Sequence, residues 1–191
     1  MTTCIINLKP AFALTTEQFW QLCVANPELR LEHSTAGELI ICPLFGGITS
    51  NRNAHLICEL YNWADSDATG IAFGSSTGFT LPNGATRAPS AAWLRQERWD
   101  ALTPEQRERF VPFCPDFVVE LLSKSDELQT TQAKMQEYID NGARLGWLIN
   151  RESKQIQIYQ PNQTDEILDA PQSISADPVL KGFRLNLGSI W

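Results

Sequence analysis

Residues 115–123 read Pro115-Asp116-Phe117-Val118-Val119-Glu120-Leu121-Leu122-Ser123, and from Phe117 to Leu122 every residue but Glu120 is apolar. A run of that length and character predicts a central strand covered on both faces. Ser125 is placed to cap a helix over about 126–141, which Gly142 ends. Strands are predicted next over 145–149 and 155–159, separated by a polar turn. Strand, helix and strand in that order predict a βαβ crossover inside a mixed sheet, so the fold class is α/β with a mixed sheet and flanking helices.

Upstream of this unit the elements are shorter. Thr15 with Gln18 three positions later forms a capping-box signature ahead of Phe19, Trp20 and Leu22. Strands are expected over 29–32 and 38–44. Leu56, Ile57, Leu60, Tyr61 and Ala64 recur at helical steps, predicting an amphipathic helix over about 50–65, with His55 beside its stripe as a core or capping residue. Short extended pieces follow over 71–73, 79–81 and 91–94, with a hairpin signal at Asn83-Gly84. Thr103-Pro104-Glu105-Gln106 opens a further short helix, and Phe183 to Leu187 reads as a terminal strand. No repeat, low-complexity block or long linker divides the chain, so a single domain over 1–191 is expected.

Composition narrows the function classes. The 191 residues carry 15 Lys and Arg against 22 Asp and Glu, a net charge of -7, with 43% hydrophobic residues and a mean hydropathy of -0.21. This is the make-up of a globular chain with a sizeable core. No apolar run approaches the ~18 residues of a membrane span, and no signal-peptide pattern follows Met1, so no membrane partner is expected and a cytoplasmic location is the expectation. The five cysteines, Cys4, Cys23, Cys42, Cys58 and Cys114, are odd in number and dispersed, which reads as small core residues in a reducing compartment. With two histidines, neither beside a cysteine at ligand spacing, no structural zinc site is expected. The absence of a Lys/Arg-rich run argues against a passive nucleic-acid coat but not against an enzyme with a small site.

Chemistry is sought first at Glu120. A carboxylate inside an apolar strand needs a counter-charge or a metal ion. Asp116 shares its strand face but stands about 13 Å away by the strand rise, so the two cannot hold one ion without a bend. Thr130, Lys134 and Tyr138 form one stripe on the following helix; with that stripe on the sheet, the Lys134 ammonium reaches Glu120, whereas a surface pair with Glu137 is the alternative. Glu38 is a third acid at a strand. Cys114, Ser50, Ser75 and Ser76 lack the flanking patterns of nucleophiles, and the glycine turns lack a phosphate-loop lysine. Trp93, Trp99 and Trp147 read as core or interface anchors.

Three blocks then carry a resemblance. Arg87-Ala88-Pro89-Ser90-Ala91-Ala92-Trp93 is similar to the pattern R-S-P-D-A-S-W. The stretch from Pro115 to Ser123 resembles P-D-L-V-V-E-V-L-S. Lys134-Met135-Gln136-Glu137-Tyr138 followed by Gly142-Ala143-Arg144-Leu145-Gly146-Trp147 matches a third block. Together they resemble the Uma2 family of restriction-endonuclease-like proteins, abundant in cyanobacteria, over roughly residues 16–191. The resemblance implies the fold of the PD-(D/E)XK nucleases and a magnesium-dependent DNA endonuclease site, with manganese as a substitute ion. It places Glu120 on the family glutamate, Lys134 as a migrated catalytic lysine and Glu38 on an acid that completes the site. Ser90 stands where the family pattern has a metal-binding Asp. Three outcomes follow from that exchange: Asp116 or Glu38 takes over as ligand, metal affinity falls, or cleavage is lost while the scaffold persists as a binding protein or a dimeric scaffold. A homodimer is expected from the aromatic residues near the tail.

Overall fold

The computed structural model describes residues 3–123 and 126–191. The first half contains β1 (Cys4–Asn7), α1 (Thr16–Ala25), β2 (Arg30–His33), β3 (Glu38–Cys42), α2 (Gly47–Asp67) and β4 (Gly70–Gly74). There follow β5 (Phe79–Thr80), β6 (Thr86–Arg87), β7 (Ala91–Arg95), α3 (Gln96–Asp100) and α4 (Pro104–Arg107). The crossover unit is β8 (Phe117–Leu122), α5 (Leu128–Asp140) and β9 (Leu145–Asn150). The tail adds β10 (Gln155–Tyr159), β11 (Glu166–Asp169), β12 (Ser173–Ser175) and β13 (Arg184–Asn186).

Six strands form one sheet in the order β11-β10-β9-β8-β7-β4. Strands β8 and β9 pair in parallel, Phe117 opposite Leu145 and Leu122 opposite Asn150, while the other pairs are antiparallel. The parallel pair is the predicted crossover, and all six residues of β8 are buried. Alternation sends its side chains to two cores. Phe117, Val119 and Leu121 pack with Leu56 and Leu60 of α2 and with Leu185 and Leu187 near the end of the chain. Val118 and Leu122 pack with Met135 and Tyr138 of α5. Glu120 shares the face of these last two and so points toward α5.

A second, five-stranded antiparallel sheet runs β1-β3-β2-β6-β5, and β12 and β13 form a separate hairpin. Strand β1 was not expected; its four residues are all exposed, so no alternation marks it. The predicted capping box of Thr15 with Gln18 is present, and the helix expected at Thr103 also starts with one, Thr103 with Gln106. The Ser125 cap lies outside the described residues, and α5 has Glu127 at its N-cap position. Helix α2 begins three residues earlier than its apolar stripe suggested, and His55 is exposed rather than a core residue. The cysteines also differ from expectation: Cys114 is buried, Cys23 and Cys42 are half-buried, and Cys4 and Cys58 are exposed. All five are free thiols. Among the described residues no helix is long and apolar enough to cross a membrane.

Candidate functional site

Glu120 is 7% exposed, in the centre of the sheet. The Lys134 ammonium lies 2.8 Å from its Oε1 and 2.8 Å from Oε1 of Glu32 on β2. One cation thus joins the two sheets. Position 134 reaches both acids because α5 packs against β8 and β9, with Met135 and Tyr138 fully buried on that side. Gly146 of β9 makes the approach possible, since a Cβ there would stand 2.4 Å from the Met135 methyl. The Tyr138 hydroxyl, four residues from Lys134, donates to Glu120 Oε1 at 3.2 Å.

Glu32 is held from three directions. It accepts from Lys134, from the Ala88 N–H at 3.2 Å and from Arg87 at 3.4 Å. Arg87 also donates through Nε to Glu137 at 2.6 Å, so Glu137 pairs with Arg87 rather than with Lys134. Three carboxylates face two cations in this cluster, which leaves one net negative charge. Burial works against the charged form of Lys134, but Glu120 and Glu32 outweigh it and hold the ammonium above its ordinary pKa. Burial likewise pushes Glu32 up, while Lys134 and Arg87 outweigh it and leave the carboxyl below its usual value. Tyr138 is driven well above an ordinary phenol by burial and by the two glutamates. At neutral pH Lys134 therefore keeps its charge, Glu32 stays ionised and Tyr138 remains a neutral phenol.

Ser90 directly precedes β7 and is 3% exposed. Its hydroxyl accepts the Leu121 N–H at 3.0 Å and faces Glu120 Oε2 at 3.5 Å. The residue expected from the resemblance to replace an Asp thus lies beside Glu120, and its side chain is neutral.

The remaining expected residues lie elsewhere. Asp116, 1% exposed, accepts the Arg95 N–H at 3.1 Å and the Arg95 and Arg98 guanidiniums at 3.0 Å each. It anchors α3 to the start of β8, and its bonds are filled by arginines rather than directed at Glu120. Glu38 accepts from Ser34 at 2.8 Å in the β2–β3 turn. The register pairs Glu32 with Ile40, so Glu38 shares the face of Glu32 but sits two pairs nearer the turn. The acid that joins Lys134 is Glu32, not Glu38. Glu32 was missed because Arg30-Leu31-Glu32-His33 has one apolar residue and reads as an exposed edge. The usable signal was alternation: with Leu31 inside, an acid beside it faces the other covered side.

Magnesium fits this donor set in kind but not in strength. The ion takes oxygen ligands, and Glu120, Glu32 and the Ser90 hydroxyl supply oxygens on one wall. Their charge is largely spent on Lys134, and among the described residues no cluster of three His, Cys, Asp or Glu side chains is arranged to hold an ion. Cysteine chemistry is disfavoured: burial pushes the Cys42 thiol to about 11 and Cys114 to about 12.

Residues 16–188 match the model of the Uma2 family, described as "Putative restriction endonuclease". A crystal structure described as a putative nuclease belonging to DUF820 from Anabaena variabilis ATCC 29413 superposes with a TM-score of 0.71 at 18% identity. The match covers 84% of this chain and 88% of that one, and at this identity it establishes the fold. A comparison with curated proteins finds no match.

Proposed function

Because the chain belongs to the Uma2 family, we propose that it is a magnesium-dependent nuclease whose site is the Glu120–Lys134–Glu32 cluster and whose substrate is DNA. The observation that carries this reading is the buried Lys134 ammonium, held at 2.8 Å by both glutamates in a nuclease-like fold. Glu120 and Glu32 would hold the ion, with the Ser90 hydroxyl as a neutral third donor. When bound, magnesium supplies Lewis-acid polarisation of the phosphate and a lowered pKa for water.

The chain's own groups have separate tasks. Lys134, with its raised pKa, keeps its proton and is not a general base; it supports negative charge that builds on the phosphate oxygens. Tyr138 donates to Glu120 Oε1 and fixes that carboxylate, leaving Oε2 toward Ser90. Arg87 holds Glu32 in its ionised form. Hydrolysis joins a water oxygen to phosphorus and breaks the P–O bond to one nucleoside. The water's proton leaves to solvent and the departing oxygen takes one up.

Supercoiled plasmid incubated with manganese tests the reading. Wild type nicks it, and Glu120→Gln, which keeps the side-chain shape, lowers the rate at least about 100-fold. Equal nicking by both proteins places the activity elsewhere. Ser90 favours a second reading, a chain that keeps the fold and binds nucleic acid without cleaving it, since exchanging a carboxylate for a hydroxyl removes charge the ion needs. In that case wild type does not nick at any manganese concentration.

A further inference from the structure

Three cations stand around Glu120 and Glu32, and two of them are spent on carboxylates. Lys134 is held by both glutamates, and Arg87 by Glu32 and Glu137. The third, Arg30 on β2, makes no ion pair among the described residues. Its Nη2 donates to the Ala88 carbonyl at 2.8 Å, and its guanidinium lies 5.3 Å from the centre of the Phe45 ring. Its Nε is buried and has no acceptor. Nη1 has no acceptor either, and it is not closed off from solvent.

The strand register brings this fork to the site. Arg30 pairs with Cys42 and Glu32 with Ile40, so the two β2 side chains share one face, about 7 Å apart along the strand. Ala88 ties them together, its N–H donating to Glu32 and its carbonyl accepting from Arg30. Two residues after Ala88, the Ser90 hydroxyl faces Glu120. Against burial, the Arg30 charge adds to those of Lys134 and Arg87 in holding the Glu32 carboxyl down. Arg30 itself is only half-buried, so its fork reaches the edge of the cluster.

A buried donor without an acceptor is unfavourable in the free protein, and an incoming acceptor relieves it. A guanidinium matches two phosphate oxygens at once, and the Phe45 ring holds its plane before any ligand arrives. We infer that Arg30 binds substrate directly, its free N–H groups taking the oxygens of a backbone phosphate on the strand presented to Glu120. The inference rests on the nuclease reading for its ligand, but the contact needs no metal.

The test is fluorescence anisotropy of a labelled DNA duplex titrated with the whole protein in EDTA, where cleavage is not read. Arg30→Gln weakens binding at least about fivefold relative to Lys181→Gln, which removes the same charge from an exposed loop of the tail. It also lowers the salt slope by about 1, a change that a merely structural role for Arg30 would not produce. Arg30→Lys keeps the slope but loses at least about threefold in affinity, because an ammonium cannot replace the fork. That second variant decides the matter where Arg30→Gln does not fold. A folded Arg30→Gln with the affinity and slope of the control overturns the inference, as does Arg30→Lys binding like wild type, or wild type failing to bind at low salt. Binding that depends on Arg30 but is followed by no cleavage on adding manganese contradicts the nuclease reading and leaves the Arg30 contact standing.

Discussion

At the scale of single residues, the arrangement turns on Lys134. Its ammonium lies against both Glu120 and Glu32 and is the main charge holding the Glu32 carboxyl below its usual value against burial, so its removal is felt as an electrostatic change. Lys134→Ala leaves two buried carboxylates facing one another, and breaking such a pair costs about 3–5 kcal/mol at neutral pH. The pH dependence separates this from loss of packing. In wild type Glu32 lies below its ordinary value and Lys134 above. The stability these groups add is therefore present across the neutral range and is lost only at the acid and alkaline extremes. In Lys134→Ala the facing carboxylates take up protons more readily than in the unfolded chain, so stability rises as pH falls from 8 toward 5. Thermal melts of both proteins across that range check this; parallel pH profiles contradict it. Glu120 and Lys134 were legible before any coordinates, one as a charge within an apolar strand and the other from four-residue spacing to Tyr138. Glu32 and Arg87 were not, because their meaning depends on pairing between β2 and β6, which are 53 positions apart at His33 and Thr86.

At the scale of elements, the β8–α5–β9 crossover does the positioning, and it was the most readable part of the chain. A six-residue apolar run, a capped helical stripe and a second apolar run have few other solutions. The glycine in the second run was not interpreted then; Gly146 lets Met135 close onto the sheet and brings Lys134 down with it. Gly146→Val crowds both Met135 and Val118, and overpacking of this kind costs about 1–3 kcal/mol. Urea denaturation should show a lower midpoint with an unchanged slope. Affinity for manganese should rise, since the Lys134 ammonium on α5 is held away from the glutamates it neutralises. A variant with wild-type stability and metal affinity contradicts this role for the glycine. The second acid belongs at this scale too: Glu38 lies in the same sheet and on the same face as Glu32 but on the neighbouring strand and two register pairs nearer the turn, an offset set by a turn whose geometry the sequence pattern does not fix.

For the whole molecule, the net charge of -7 places a bound on how nucleic acid is held. If the site holds DNA, a few placed cations do so, and neutralisation of two or three phosphates is the expectation. Raising salt from about 50 to 200 mM then weakens duplex binding about 10- to 40-fold, well short of the loss for proteins that neutralise six to ten phosphates. A steeper dependence means a basic surface elsewhere dominates. Charge totals and the mixed sheet were apparent from composition and pattern. The separate five-stranded sheet that supplies Glu32 was not, since its strands are short and β1 is exposed throughout.

Restoring the missing carboxylate tests the account most directly. Ser90→Asp places an acid where a hydroxyl now faces Glu120 Oε2, and plasmid nicking with limiting manganese is the readout. The account predicts a rate at least about tenfold above wild type, falling to background when Glu120→Gln is added. A Ser90→Asp protein that folds, nicks no faster than wild type and gains no affinity for manganese would contradict a metal-dependent centre at Glu120.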